Sequence, residues 1–370
     1  MNANAGVLSL SGYGLRVTVE RGHLCIEDGI GDERRQARFS RVPRKFNRVV
    51  VLGHSGFITF EALRWIRDVG ATFIQIDSDG QLIAAGCPSG LNEARLRRAQ
   101  ALASTNGVAV EISRELIRHK FEGQTRLMED LPQPVRAHWD IEDCWSDLRN
   151  ARSIDEIRIV EARVALMYWS AWPDIAVDFG TGNTTTVPEH WLRFGSRKSL
   201  ISQPSARRAT NPANAILNYL YAVLEAEARI AALRMGLDPG LGFLHVDQGS
   251  RDSLPCDLME PVRPKVDAYV LGMLRARGFN KADFFETREG ICRIMPPLAK
   301  ELAATGLRWQ KDLAAITERV AKSLIDVVTP ARSRGARRAR GILPTPLTES
   351  NRSAGRNPYR RNLQNNGTSS

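Results

Sequence analysis

Apolar and polar residues alternate with a period of two along the first ninety residues. That alternation predicts strands at Val7–Ser11, Leu15–Val19, His23–Glu27, Gln36–Val42, Val49–Leu52 and Thr72–Asp77. The pairs Ser11-Gly12, Asp28-Gly29 and Asp79-Gly80 supply turn chemistry between them. Within Thr59–Val69, Phe60, Leu63, Trp65 and Ile66 fall near helical spacing, which predicts one helix packed on the sheet. From about Asn92 the period lengthens to that of helices. A first stretch, Leu96–Leu131, is broken around Thr105–Gly107 and stopped by Pro132. Ser153-Ile154-Asp155-Glu156 is a capping-box sequence that opens a helix reaching about Ala171. Asn211-Pro212 supplies an N-cap and a first-turn proline for another helix, which Gly236 closes. Asp174–Thr210, rich in Gly, Thr, Ser and Pro, is longer than an idle connection and is expected to be a mobile loop. Beyond about Pro330 too few apolar residues remain to offset ordering entropy, and disorder is expected. The fold class expected is α+β: an N-terminal β-rich domain over 1–92, then a mainly α-helical catalytic domain over 93–330, then a disordered basic tail over 331–370.

Composition adds a polyanionic partner and removes several function classes. The chain has 370 residues, 43% hydrophobic and 25% charged, with a net charge of +11. The last forty residues hold nine arginines against one glutamate, so eight of the eleven excess charges lie in the tail. Five scattered cysteines, Cys25, Cys87, Cys144, Cys256 and Cys292, form no C-x-x-C pair and are read as buried packing residues in a reducing compartment. With no signal-peptide pattern and no uncharged apolar run long enough for a bilayer, a soluble cytoplasmic protein is expected. Neither a Walker loop nor G-x-S-x-G occurs, which argues against an ATPase and a serine hydrolase; His54 reads as part of a turn before a helix.

Three places could carry chemistry. Glu161 shares a helical face with Ile157, Val164, Ala165 and Tyr168, so its carboxylate stands in an apolar stripe. Such a charge calls for a cation, a hydrogen-bond network or a metal, unless it reaches solvent or pairs with a neighbour such as Arg158. His245 ends the apolar run Phe243-Leu244 after a Gly-rich turn, where a short strand or extended segment leaves the core; such ends often carry function, although a lone histidine is more often structural. Asp257 and Glu260 are three residues apart, close enough on a helical turn to share a divalent ion or to serve as helix-start acids. Pro261 and Pro264 kink that segment or begin its helix.

Read in order, Ile159-Val160-Glu161, Asn211-Pro212-Ala213-Asn214-Ala215-Ile216-Leu217, Gly242-Phe243-Leu244-His245 and Asp257-Leu258-Met259-Glu260-Pro261-Val262-Arg263-Pro264 resemble the CRISPR-associated endonuclease and integrase family of the adaptation complex. Gly53-His54-Ser55-Gly56-Phe57-Ile58-Thr59 and Phe73-Ile74-Gln75-Ile76-Asp77 extend the resemblance over roughly residues 5–325. It implies a homodimer with a metal site formed by Glu161, His245 and Glu260, with Asp257 as a further ligand or supporting acid. Tyr168 matches the family's aromatic, whereas Ala162 and Leu166 depart from a usual glycine and arginine.

Carboxylates with one imidazole suit Mg²⁺ or Mn²⁺. In the reaction implied, a 3′-hydroxyl of a short captured DNA attacks a phosphodiester at the repeat array, and water in its place gives hydrolysis. The partners implied are double-stranded DNA and a small dimeric protein that bridges integrase dimers. Arg193, Arg197, Lys198, Arg207 and Arg208, with Trp191 and Phe194 among them, suit a loop that grips the DNA backbone and stacks on a frayed base. The competing readings are a casposon-type transposase with the same site and a catalytically silent DNA-binding scaffold. The tail generates a first prediction. Deleting residues 331–370 weakens non-specific DNA binding and flattens its dependence on salt, because fewer counterions are released. An unchanged salt slope in binding titrations overturns this.

Overall fold

The computed structural model describes residues 3, 6–11, 14–28, 34–43, 45–53, 55–77, 82–86, 93–131, 140–173, 175–180, 187–195, 209–245 and 252–328. The β-rich half comprises β1 (Val7–Ser11), β2 (Leu15–Glu20), β3 (His23–Asp28), β4 (Arg35–Phe39), β5 (Arg48–Leu52), β6 (Gly56–Ile58), helix α1 (Phe60–Asp68), β7 (Thr72–Ile76) and β8 (Leu82–Gly86). They form two four-stranded sheets, in the orders β1-β5-β7-β8 and β4-β3-β2-β6. In the first, β1, β5 and β7 are parallel and β8 closes an antiparallel edge.

The parallel strands are covered on both faces. Leu8, Leu10 and Val49 pack with Leu15, Val17, Leu24, Ile26, Trp65 and Ile66 between the two sheets and α1. Val7, Val50, Ile74 and Ile76 face the helices instead. Double burial explains why β5 reads Val49-Val50-Val51 without alternation. Strand β4 stops at Phe39, short of the expected Val42, which is exposed beyond it. The inner face of α1 is Ala62, Trp65 and Ile66; Phe60, expected to face the sheet, is 91% exposed because it lies at the helix start, just past the Thr59 cap. Two short strands were not legible as alternation: β6 has three residues, and β8 is Leu-Ile-Ala-Ala-Gly. A third sheet is the pair β9 (Phe284–Glu286) and β10 (Cys292–Ile294), inside the helical half.

That half contains α2 (Ala94–Ala101), α3 (Val108–Glu129), α4 (Ile141–Asn150), α5 (Ile154–Ser170), α6 (Pro212–Met235), α7 (Ser253–Met259), α8 (Arg263–Ala276), α9 (Pro296–Ala303) and α10 (Gly306–Val328). The caps are those the sequence predicts: Ser153 Oγ accepts from Glu156 N, and Asn211 Oδ1 from Asn214 N. Helix α6 is apolar on nearly every side and runs through the middle, packed by α7, α8, α9, α10 and β8. Cys144, Cys256 and Cys292 are buried as expected; Cys25 is only half-buried because it sits at the solvent-facing phase of β3, and Cys87 lies outside the described residues. Among the described residues no helix is long and apolar enough to cross a membrane.

The described part of the 174–210 loop is more ordered than a mobile connection. Ala176 bridges Arg193, and Trp191 and Phe194 are buried. Trp191 packs edge-on against Phe284 and stacks with Phe179, while Phe194 stacks on Trp169. Both aromatics therefore belong to the core, and the expectation that they stack on a DNA base is corrected. Arg193 is exposed, whereas Arg197, Lys198, Arg207, Arg208, His54 and the 331–370 tail lie outside the described residues.

Strand β5 and helix α6 are joined by a buried pair. Arg48 Nε and Nη2 donate to Glu227 Oε1 and Oε2, both at 2.9 Å, and Nη1 donates to Thr72 Oγ1 at 3.3 Å. Both side chains are almost fully enclosed. Removing one partner leaves the other charge stranded, which costs about 3–5 kcal/mol. Arg48→Met or Glu227→Gln should lower the urea-unfolding free energy by that amount, and Arg48→Met with Glu227→Leu by less than the sum of the two. Additive losses in the double variant contradict this account.

Candidate active site

Helix α5 carries Glu161 because its apolar stripe, Ile157, Val160, Val164, Met167 and Tyr168, must face α3 and α4; Glu161 sits at the stripe's edge. Its carboxylate accepts from Lys120 Nζ on α3. Arg158, the alternative neighbour, is engaged elsewhere, donating to the Leu244 carbonyl at 2.8 Å and pairing with Asp155.

His245 is held by a carboxylate that also gathers the backbone before it. Asp257 is fully buried. Its Oδ2 accepts from the backbone N–H of Phe243 (2.5 Å) and Leu244 (3.0 Å), and its Oδ1 from His245 N (3.1 Å) and His245 Nδ1 (2.6 Å). A carboxylate accepts, so His245 Nδ1 is the donor in this pair and Nε2 is the ring nitrogen turned away from Asp257. Metal-ligating histidines are typically supported in this way. Gly242 permits the close approach: a Cβ there would lie 2.7 Å from Ser253 Cβ. The preceding turn is fixed by Gln100 on α2, whose amide donates to the Asp238 and Leu241 carbonyls at 2.8 Å and accepts from Asp238 N at 2.9 Å.

Glu260 is the cap residue that ends α7; after Pro261 the chain turns and Arg263 begins α8. The two acids of this segment therefore diverge, Asp257 toward His245 and Glu260 toward Lys120 and Arg263. Glu260 Oε1 lies 3.2 Å from Arg263 Nη1, and Oε2 lies 2.7 Å from Lys120 Nζ. Burial alone would raise the Glu260 pKa, but Arg263, Lys120 and His245 outweigh it and hold the carboxyl down at about 2. Burial likewise opposes the Lys120 ammonium, and the Glu260 and Glu161 carboxylates keep its pKa above the usual lysine value. Lys120 reaches this point because α3 and α8 touch at Gly123, where a Cβ would meet Pro264 Cβ at 2.6 Å.

A further carboxylate locks the surrounding helices. Asp267 on α8 accepts from Tyr168 Oη of α5 at 2.8 Å and from Tyr221 Oη of α6 at 2.5 Å. Arg263 lies over the Tyr221 ring, 5.0 Å from its centroid. Burial first, and then the Asp267 carboxylate, drive the Tyr168 phenol pKa well above its ordinary value, so it remains a donor.

Among the described residues no three His, Cys, Asp or Glu side chains already converge as a metal cluster; Lys120 stands between Glu161 and Glu260. The donor set still suits a hard divalent ion. Glu260 is enclosed with Lys120 Nζ as the near partner of its Oε2, Glu161 and His245 are partly exposed, and His245 Nε2 is the ring nitrogen that Asp257 does not engage. Sequence reasoning missed Lys120, Arg263, Asp267, Tyr221 and Gln100. Lys120 left the same signal as Glu161, a charge on the stripe Val108, Ile112, Leu116, Ile117, Phe121, Gln124, Leu127.

These features define an α+β protein whose buried acids and Asp257-held histidine all lie in its helical half. Residues 8–305 match the family described as CRISPR associated protein Cas1, and the chain belongs to that family. Similar proteins include "CRISPR-associated endonuclease Cas1 1" of Archaeoglobus fulgidus, 27% identical over 80% of this chain and 86% of that one. "CRISPR-associated endonuclease Cas1 2" of Pyrobaculum aerophilum is 27% identical over 85% of this chain and 98% of that one. Among solved structures, a casposase bound to integration product aligns with a TM-score of 0.71 at 24% identity, covering 86% of this chain and 91% of that one. A CAS1 protein from Thermotoga maritima aligns at 0.67 and 18% identity, covering 86% and 96%. The family and the β-then-α fold expected from the ordered motifs are thereby borne out.

Asp257→Ala leaves three backbone N–H groups and the His245 ring without an acceptor, at about 1–3 kcal/mol for each buried donor that water does not reach. A loss of at least about 3 kcal/mol in urea unfolding is expected, with Asp257→Asn recovering part of it. Wild-type stability in the alanine variant contradicts this role.

Proposed function

We propose that this chain is a metal-dependent DNA endonuclease and integrase that inserts short DNA fragments, or spacers, into a CRISPR array by attack of a 3′-hydroxyl on a phosphodiester. The observation that carries the reading is His245, oriented by Asp257, in the same helical half as Glu161 and Glu260, whose carboxylates share the Lys120 ammonium. Glu161, His245 Nε2 and Glu260 would hold Mg²⁺ or Mn²⁺, with Asp257 supporting the histidine. When bound, the ion supplies Lewis-acid activation of the phosphodiester and of the attacking hydroxyl.

The chain's own residues supply the rest. Asp257 fixes the ring tautomer and direction, Arg158 pins the Leu244 carbonyl beside it, and the Tyr168–Asp267–Tyr221 bonds keep α5, α6 and α8 from drifting apart. Preorganisation of this kind lowers the reorganisation needed as charge develops on phosphate. Hydrolysis differs from strand transfer only in the nucleophile, water or a DNA 3′-hydroxyl. The substrates proposed are double-stranded prespacer DNA and the repeat array, gripped by Arg193, Arg197, Lys198, Arg207 and Arg208. The chain would work as a homodimer. A solved Cas6-RT-Cas1 assembly with Cas2, which aligns at a TM-score of 0.64, supports a Cas2-like small dimer as the bridging partner. The endonuclease names of the relatives that span most of the chain favour spacer capture over transposition.

Strand transfer of a short duplex with free 3′-hydroxyl ends into a supercoiled plasmid, in Mn²⁺, tests the proposal. Wild type should join the strands, and His245→Ala should reduce product at least about a hundredfold, the upper range for loss of metal support. Equal product from both, or none from either, overturns it.

A further inference from the structure

The Lys120 ammonium is 5% exposed and contacts the two glutamates that the proposed ion would bridge. No loop or tail places it there. It comes from the middle of a 22-residue helix and approaches because Gly123 allows α3 to lie against Pro264. Arg263 balances Glu260 from the other side, so Glu161 and Glu260 are already matched by two positive charges. A divalent ion held by the same carboxylates, with Lys120 still in place, would crowd two cations into one enclosed site, where their Coulomb repulsion is weakly screened.

The geometry points to Lys120 as a built-in competitor of the metal: its ammonium holds the Glu161–Glu260 pair together in the metal-free protein and must leave that position when the ion binds. Its four-carbon stem lets the ammonium swing while the helix stays fixed. The chain thereby keeps a buried acid pair folded without metal and sets the metal affinity below what the ligands alone would give. This rests on the metal-dependent reading above.

Mn²⁺ binding to the full-length protein, followed by electron paramagnetic resonance of the free ion, tests the competition without any activity measurement. Lys120→Gln and Lys120→Met should bind Mn²⁺ at least about tenfold more tightly than wild type. Their metal-free melting temperature should fall, and added Mn²⁺ should raise it by more than it raises that of wild type. Lys120→Arg, which keeps the charge, should bind no more tightly than wild type. Should the methionine variant not fold without metal, refolding it in Mn²⁺ supports the proposal, and the glutamine variant supplies the affinity. Equal or weaker binding by the glutamine variant, with wild type binding normally, overturns the competition and leaves the metal site standing. Binding by none of the proteins overturns the metal-dependent reading together with this one.

Discussion

Asp257, Glu260 and Asp267 bury three carboxylates within eleven residues of chain, and the helical half is arranged to answer them. A buried charge without partners costs several kcal/mol, so each acid must recruit donors from somewhere. Each draws on a different part of the molecule. Asp257 gathers the bend at 243–245, Glu260 draws in Lys120 of α3 with Arg263, and Asp267 takes the hydroxyls of α5 and α6. The relative placement of α3, α5, α6, α7 and α8 follows from this local concentration of negative charge as much as from the apolar core around it.

Two glycines make the arrangement sterically possible. Gly242 lets the backbone before His245 run against Ser253, and Gly123 lets two helices meet closely enough for a lysine stem to reach an acid across the contact. A glycine inside a helix costs about 1 kcal/mol of propensity relative to alanine. At Gly123 that cost is offset by the contact it permits, since a methyl group there would drive α3 and α8 apart. The site thus depends on backbone spacing as well as on the side chains that line it.

Glu161 and His245 stood out locally only as a charge on a stripe and a histidine after a turn, and the ordered motifs were needed to set them together, whereas the helix caps were legible because cap spacing is a local rule. Strands β1, β2, β3, β5 and β7 were legible for the same reason, whereas β8 was lost because Leu-Ile-Ala-Ala-Gly carries little strand preference. Trp191 and Phe194 were misread because arginines flank them and a Gly-rich loop surrounds them. Trp191 is packed by Phe284 and Phe179, and Phe194 by Trp169 and Trp172, contacts that no short local window contains. Lys120 and Asp267 were missed for a related reason, since a buried charge becomes intelligible only when its distant partner is known.

The Arg48–Glu227 pair has a consequence for synthesis. Its partners are 179 residues apart, and at about 5–20 residues per second the ribosome takes roughly ten to forty seconds to deliver the second after the first. During that interval the strands of the parallel sheet have emerged, while α6, which covers their Val7, Val50, Ile74 and Ile76 face, has not. The nascent chain therefore carries an uncovered apolar surface beside an unneutralised guanidinium. That face of the sheet is covered only late in synthesis, when α6 arrives.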